Sequence, residues 1–284
     1  PLITRIDSRI NPKPKLSPLL IRVYNLLCSH ESLPFSLTFT FHPAVPRRTG
    51  AVVFPIQARR ARCRTPRANE TRGAGGNAAG TMLLPDELAD IAHWCDARGV
   101  RLISDEIYHG LQYGRPIATA AAFSPHAVVI NSFSKYFSMT GWRIGWMVLP
   151  DDLVRPVECL AQNMAISAPH VSQVAAEAAF DCSVELQGNV ARYRRSRAHL
   201  LATLPAAGFP DIAAADGAFY LYADVGARTN DSVAFCARML AEAGVAATPG
   251  VDFDRTRGSR TVRFSYCGPE ADMAAAAERL LRFR

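Results

Sequence analysis

From Gly76 onward the chain alternates short apolar runs with stretches of helical periodicity, and that alternation leaves few folds open. Residues 100–106 (VRLISDE), 126–132 (HAVVINS) and 143–149 (RIGWMVL) read as strands of the buried type. Leu88, Ile91, Ala92 and Cys95 fall at i, i+3, i+4 and i+7, one apolar helix face, with Pro85 suited to the first turn and Gly99 to the stop. Leu153, Val157, Leu160 and Met164 mark the apolar face of a further helix, which Pro156 should kink. A long helix over 186–204 leads into a smaller α+β region. Its strands are expected at 217–224 and 261–267, and its helices around Cys236, Met239, Leu240 and Ala243, stopped by Gly244, and over 271–284. Strands alternating with helices imply an α/β fold with a mainly parallel sheet, whose ligand sites lie beyond the carboxyl ends of the strands. Asp105 and Lys135 both stand at such ends.

Residues 1–76 differ from the rest. They hold 13 of the 32 basic residues but only 3 of the 25 acidic ones, and 9 of the 19 prolines. The net charge of +7 is therefore a property of this first quarter and gives no support for nucleic-acid binding by the whole chain. Only the alternating stretch 33–41 suggests a strand. An Arg-rich, acid-poor leader also has the composition of a transit peptide, but the expectation is a poorly ordered segment unrelated to the rest of the chain. No apolar run approaches the 18 residues that a membrane helix needs. The seven cysteines are scattered, with no C-x-x-C and no histidine at zinc-ligand spacing, which points to reduced thiols in a cytoplasmic setting and no metal site.

The chemistry concentrates in residues 132–146, S-F-S-K-Y-F-S-M-T-G-W-R-I-G-W. A lysine just after a buried strand becomes a nucleophile when desolvation or nearby positive charge lowers its pKa. Ser132, Ser134 and Arg143 supply two hydroxyls and a planar cation suited to a phosphate. Asp105 and Tyr108 lie in S-D-E-I-Y, where the preceding strand ends.

In this order the residues resemble the class I/II aminotransferases, the fold-type I enzymes that use pyridoxal 5'-phosphate. The family pattern is an Asn in an N-P-x-G turn, D-x-x-Y, S-x-S-K and an Arg eight residues past the Lys. This chain has Asn77-Ala78-Ala79-Gly80, then Asp105 28 residues later, Tyr108, Ser132, Ser134, Lys135 and Arg143. Val262-Arg263-Phe264-Ser265 is similar to the strand that carries the carboxylate-binding Arg, and the segment 217–220 (GAFY) is also familiar from these enzymes. The resemblance implies that Lys135 holds the cofactor as a Schiff base and carries a proton during catalysis. It assigns the pyridine nitrogen to Asp105, the ring oxygen to Tyr108 and Asn77, and the phosphate to Ser132, Ser134 and Arg143. Arg263 is assigned the substrate carboxylate. Alternation in 261–267 places Val262, Phe264 and Tyr266 on one face and Arg263 on the other. The implied substrates are an amino acid and a 2-oxo acid, and the implied assembly is a homodimer with neither nucleic-acid nor membrane partner.

The resemblance spans residues 76–284 and divides them into a partial cofactor-binding large domain, 77–184, and a small domain, 185–284. Residues 1–76 show no phosphate loop and no aromatic to stack on the cofactor ring, and the turn at Asn77 lacks the family's proline. A truncated aminotransferase is the expectation. The alternatives are an inactive remnant of one or a β-lyase with the same cofactor.

Overall fold

The computed structural model describes residues 22–24, 51–54 and 79–283. Asn77 and the 33–41 stretch lie outside the described residues. The described chain divides into two compact units. The first contains residues 84–109 and 116–186, and the second contains 79–83, 110–115 and 187–283.

The first unit is built on a five-stranded sheet. Its strands are β1 (Arg22–Tyr24), β2 (Ala51–Phe54), β3 (Arg101–Asp105), β4 (Val128–Ser132) and β5 (Gly145–Val148), in the order β1-β5-β4-β3-β2. β2, β3 and β4 run parallel, whereas β5 pairs antiparallel with both β4 and β1. Among the described strands four thus point the same way, as the expected mainly parallel sheet requires, and β5 alone runs against them. The residues between β4 and β5 form turns and a single 3-10 turn, Thr140–Trp142. Without a crossover helix to carry the chain back, the return strand can only run antiparallel.

Helix α1 (Pro85–Asp96) buries Leu88, Ala92 and Cys95, the face that its periodicity predicts. No side chain caps its N-terminus. The Leu84 N–H donates instead to Glu87 Oε2 at 2.9 Å, and Gly99 adopts φ +61° beyond the last turn. Helix α2 (Asp151–Met164) forms with Pro156 inside it, but it buries none of its residues. Leu160 and Met164, expected on a core face, are exposed. Helix α3 (His170–Ala179) contributes Ala176 and Ala179 to the core under the β4–β5 connection.

Helix α4 (Ser183–Thr203) crosses the boundary between the units. The second unit carries an antiparallel sheet ordered β6-β7-β9-β8, from β6 (Asp211–Ile212), β7 (Tyr220–Asp224), β8 (Thr248–Pro249) and β9 (Thr261–Ser265). Val262, Phe264 and Tyr266 are buried on one side of β9, as the alternation predicts. Helix α5 (Ser232–Ala243) starts at Asp231, whose Oδ1 accepts the N–H groups of Val233 and Ala234, and ends at Gly244 with φ +64°. Cys236 and Met239 are buried there as expected, whereas Leu240 points outward. Helix α6 (Glu270–Leu280) closes the unit.

The connection into β9 is tied down electrostatically. Asp224, on β7, pairs with Arg257 and Arg260 at 3.2 Å each and accepts the Gly226 N–H at 2.8 Å. Burial works to raise its pKa, but this hydrogen bond and the two guanidinium groups outweigh it and hold the carboxyl below its ordinary value.

Candidate functional site

In the first unit the sheet gathers the predicted residues at one end. β3 and β4 are parallel, so Asp105 and Ser132 leave the sheet on the same side. β5 runs back from that side, with Gly145 directly opposite Ser132. A Cβ at Gly145 would come within 2.7 Å of the Asn131 carbonyl oxygen, so only glycine lets the two strands close at this point.

Between them lies the lysine turn. Phe133 is fully buried and Phe137 packs against it, with ring centroids 4.8 Å apart. Trp146 and Phe180 complete the cluster at 4.9 and 5.4 Å from Phe133. Phe133, buried, and Phe137, partly buried, pack against these rings and anchor the turn. Ser132 Oγ lies 2.9 Å from Ser134 Oγ and 3.2 Å from the Ile144 carbonyl, and it accepts the Ser134 N–H at 3.1 Å. The two hydroxyls predicted to hold a phosphate therefore sit side by side.

Lys135 Nζ stands 5.8 Å from the ring centroid of the buried Tyr108, within cation–π range. Arg143 closes the turn in the left-handed region, φ 52°, and its Nη1 donates to the Thr140 carbonyl at 2.7 Å. Ser138 is left-handed too, at φ 57°. Asp105 Oδ1 accepts the Ile107 N–H at 3.2 Å, which shapes the turn that carries Tyr108.

Behind Asp105 is a second acid that no sequence motif singles out. Glu106 is buried, and its Oε1 accepts the Ser104 hydroxyl at 2.7 Å and the Ala120 N–H at 2.8 Å. His109 Nδ1 lies 3.4 Å from its Oε2. Burial raises the Glu106 pKa, although these hydrogen bonds oppose it. Burial pushes His109 the other way, down to about 4, against the pull of Asp105.

The His109 shift has a definite sign. Between pH 4 and 6.5 the unfolded chain binds a proton at His109 that the folded chain does not, so this residue makes stability rise with pH across that window. Glu106 acts in the opposite direction, because its folded form holds the proton longer. Comparing wild type with His109→Gln isolates the histidine. Urea denaturation at pH 4.5 and 7 should show the wild type gaining about 1–2 kcal/mol more than the variant over that interval. Equal gains would show that His109 is not held neutral by the fold.

Arg263 lies in the second unit, on β9 opposite Tyr222 and Thr248. Its guanidinium carbon sits 4.1 Å from the Tyr220 ring centroid and 4.0 Å from that of Phe253. Its Nε is buried without a hydrogen-bond partner among the described residues. Phe253 gave no signal in the sequence, because it lies ten residues before Arg263 and outside any strand. Among the described residues no group of His, Cys, Asp and Glu is placed to hold a metal ion, and no helix is long and apolar enough to cross a membrane.

Known proteins match the same part of the chain. The family described as "Aminotransferase class I and II" matches residues 76–280. A valine–pyruvate aminotransferase of Mycobacterium tuberculosis is 50% identical over 208 residues, covering 72% of this chain and 54% of the relative. A (5-formylfuran-3-yl)methyl phosphate transaminase of Methanocaldococcus jannaschii is 34% identical, covering 64% of this chain and 49% of the relative. A crystal structure of an aminotransferase from Mycobacterium tuberculosis superposes with a TM-score of 0.73 at 44% identity, covering 84% of this chain and 58% of that one. The chain thus spans about half the length of the curated relatives it matches. Both its sequence and its fold-type I architecture make it a member of the class I and II aminotransferase family.

Proposed function

We propose that the chain binds pyridoxal 5'-phosphate on Lys135 and transfers an amino group from an amino acid to a 2-oxo acid. The observation that carries this reading is the lysine turn: an amine beside a buried phenol, next to a pair of serine hydroxyls, at the strand ends that also present Asp105. This donor set fits the cofactor. Two hydroxyls and Arg143 suit its phosphate, a carboxylate suits its ring nitrogen, and a phenol suits its ring oxygen. By family, Asn77 joins Tyr108 at that oxygen.

When bound, pyridoxal phosphate supplies an electron-withdrawing ring. The chain's own groups do the rest. Asp105 would pair with the ring nitrogen and favour its protonated form. Tyr108 would donate to the ring oxygen, and its ring lies 5.8 Å from the Lys135 amine. Lys135 would hold the cofactor through its amine and would move a proton at the substrate Cα. Arg263 takes the substrate carboxylate with a fork that no lysine reproduces.

The relative most informative about substrate acts on valine and pyruvate, so we assign a branched aliphatic donor and pyruvate as acceptor. Residues 77–184 form the cofactor domain in this reading and 185–284 the small domain. The working unit is a homodimer by family. The free cysteines among the described residues support a reducing, cytoplasmic compartment.

The chain has only three lysines, Lys13, Lys15 and Lys135, which makes the test simple. The full chain is incubated with pyridoxal phosphate, reduced with borohydride and digested. The pyridoxyl group is expected on the peptide containing Lys135. With 15N-valine and pyruvate, 15N-alanine is expected to form. Label on Lys13 or Lys15 alone would overturn the cofactor assignment. Release of ammonia and pyruvate from a β-substituted amino acid, without 15N transfer, would assign the site to β-elimination instead.

A further inference from the structure

We propose that Phe253 and Tyr220 are positioning residues that clamp the Arg263 guanidinium in one plane, so that it reads the substrate carboxylate edge-on. This rests on the proposed pairing of that carboxylate with Arg263. The guanidinium carbon lies 4.1 Å from the Tyr220 ring centroid and 4.0 Å from that of Phe253, so an anion cannot approach through the sides that these two rings cover. Edge approach is the geometry in which a carboxylate accepts two parallel N–H bonds. The buried Nε, without a partner among the described residues, is an edge donor of that kind.

The two sides of the clamp differ. Tyr220 is buried on β7 and belongs to the sheet. Phe253 is 37% exposed and stands on the loop between β8 and β9, so something other than burial must hold it. The loop itself does this. The Phe253 N–H donates to the Gly250 carbonyl at 2.9 Å. Gly250 and Gly258 pack so closely that a Cβ on Gly258 would come within 2.5 Å of the Gly250 carbonyl and of the Val251 backbone. Gly250 in turn lies against Thr261 at the start of β9, two residues before Arg263. Phe253 is thus fixed relative to the strand that carries the arginine.

The π face is the part that matters, because it attracts the cation while excluding water from it. Phe253→Leu keeps the apolar bulk and removes that face, and Phe253→Tyr keeps both. The probe is 3-methylbutanoate, which has the carbon skeleton and carboxylate of valine but no amine, titrated calorimetrically into the chain loaded with pyridoxal phosphate. Phe253→Leu is expected to weaken its binding about tenfold, and Phe253→Tyr to stay within about twofold of wild type. In turnover, the Leu variant should raise KM for valine and pyruvate alike while kcat and the pyridoxyl label on Lys135 hold. Arg263→Lys is the control for the underlying assignment. If Arg263→Lys leaves binding unchanged, the carboxylate assignment fails. If Arg263→Lys weakens binding but Phe253→Leu matches wild type, or Phe253→Tyr falls as far as Phe253→Leu, the clamp alone is refuted.

Discussion

Lys135→Arg is expected to reduce amino transfer by at least about 10³-fold and to abolish the borohydride-reducible label. The substitution is chosen because it preserves most of what is structural about the residue. An arginine keeps the positive charge, the long apolar stem and the attraction to the Tyr108 ring. It loses one property, the ability to give up its proton near neutral pH, and both covalent capture of an aldehyde and proton transfer at Cα depend on that property. Circular dichroism and the urea midpoint should be those of the wild type, which separates loss of chemistry from loss of fold. Turnover within tenfold of wild type would place the chemistry on another residue.

Phe133→Ala carries the largest expected cost in stability, about 3–5 kcal/mol. The ring is 2% exposed and touches Phe137, Trp146 and Phe180, drawn from the lysine turn, β5 and the end of α3. Removing it leaves a void where three elements meet, and none of them can move in without breaking the β4–β5 pairing. Equilibrium unfolding in urea measures the cost directly. Because Phe133 lies between Ser132 and Ser134, cofactor retention should fall along with stability even where the chain remains folded. A loss below about 1 kcal/mol would mean that the aromatic cluster does not support the turn.

The sequence made part of this architecture legible, and the reasons differ from place to place. Helix α1 could be read from its apolar spacing, because Leu88, Ala92 and Cys95 meet one continuous core. Helix α2 has equally regular spacing over Leu153, Val157, Leu160 and Met164, yet it buries none of them, since periodicity reports an apolar face and not what covers it. The direction of β5 was hidden because strand polarity depends on the connection, and the segment 133–144 has no pattern that announces a turn rather than a helix. In the site, Lys135, Asp105, Tyr108 and the two serines stood out because they are close in sequence to strand ends. Phe253 and Glu106 did not. One reaches its partner across a loop, and the other is held by the Ala120 N–H, fourteen residues away, which no local spacing links to it.

Ser138 and Arg143 both hold the left-handed backbone conformation with ordinary side chains, a conformation that costs roughly 1–2 kcal/mol for each such residue. The turn between β4 and β5 is therefore not one that its own residues favour. Its shape is held by the packing of Phe133 and its neighbours against Ala168, Ala176, Ala179 and Phe180, which lie outside residues 132–146, and by the closure of Gly145 against Ser132 in the sheet. It follows that the lysine turn is not a portable motif. A peptide of residues 132–146, or the same fifteen residues grafted onto another scaffold, would relax away from this geometry. The placement of Lys135 is a property of the assembled sheet, acquired only when β5 has docked.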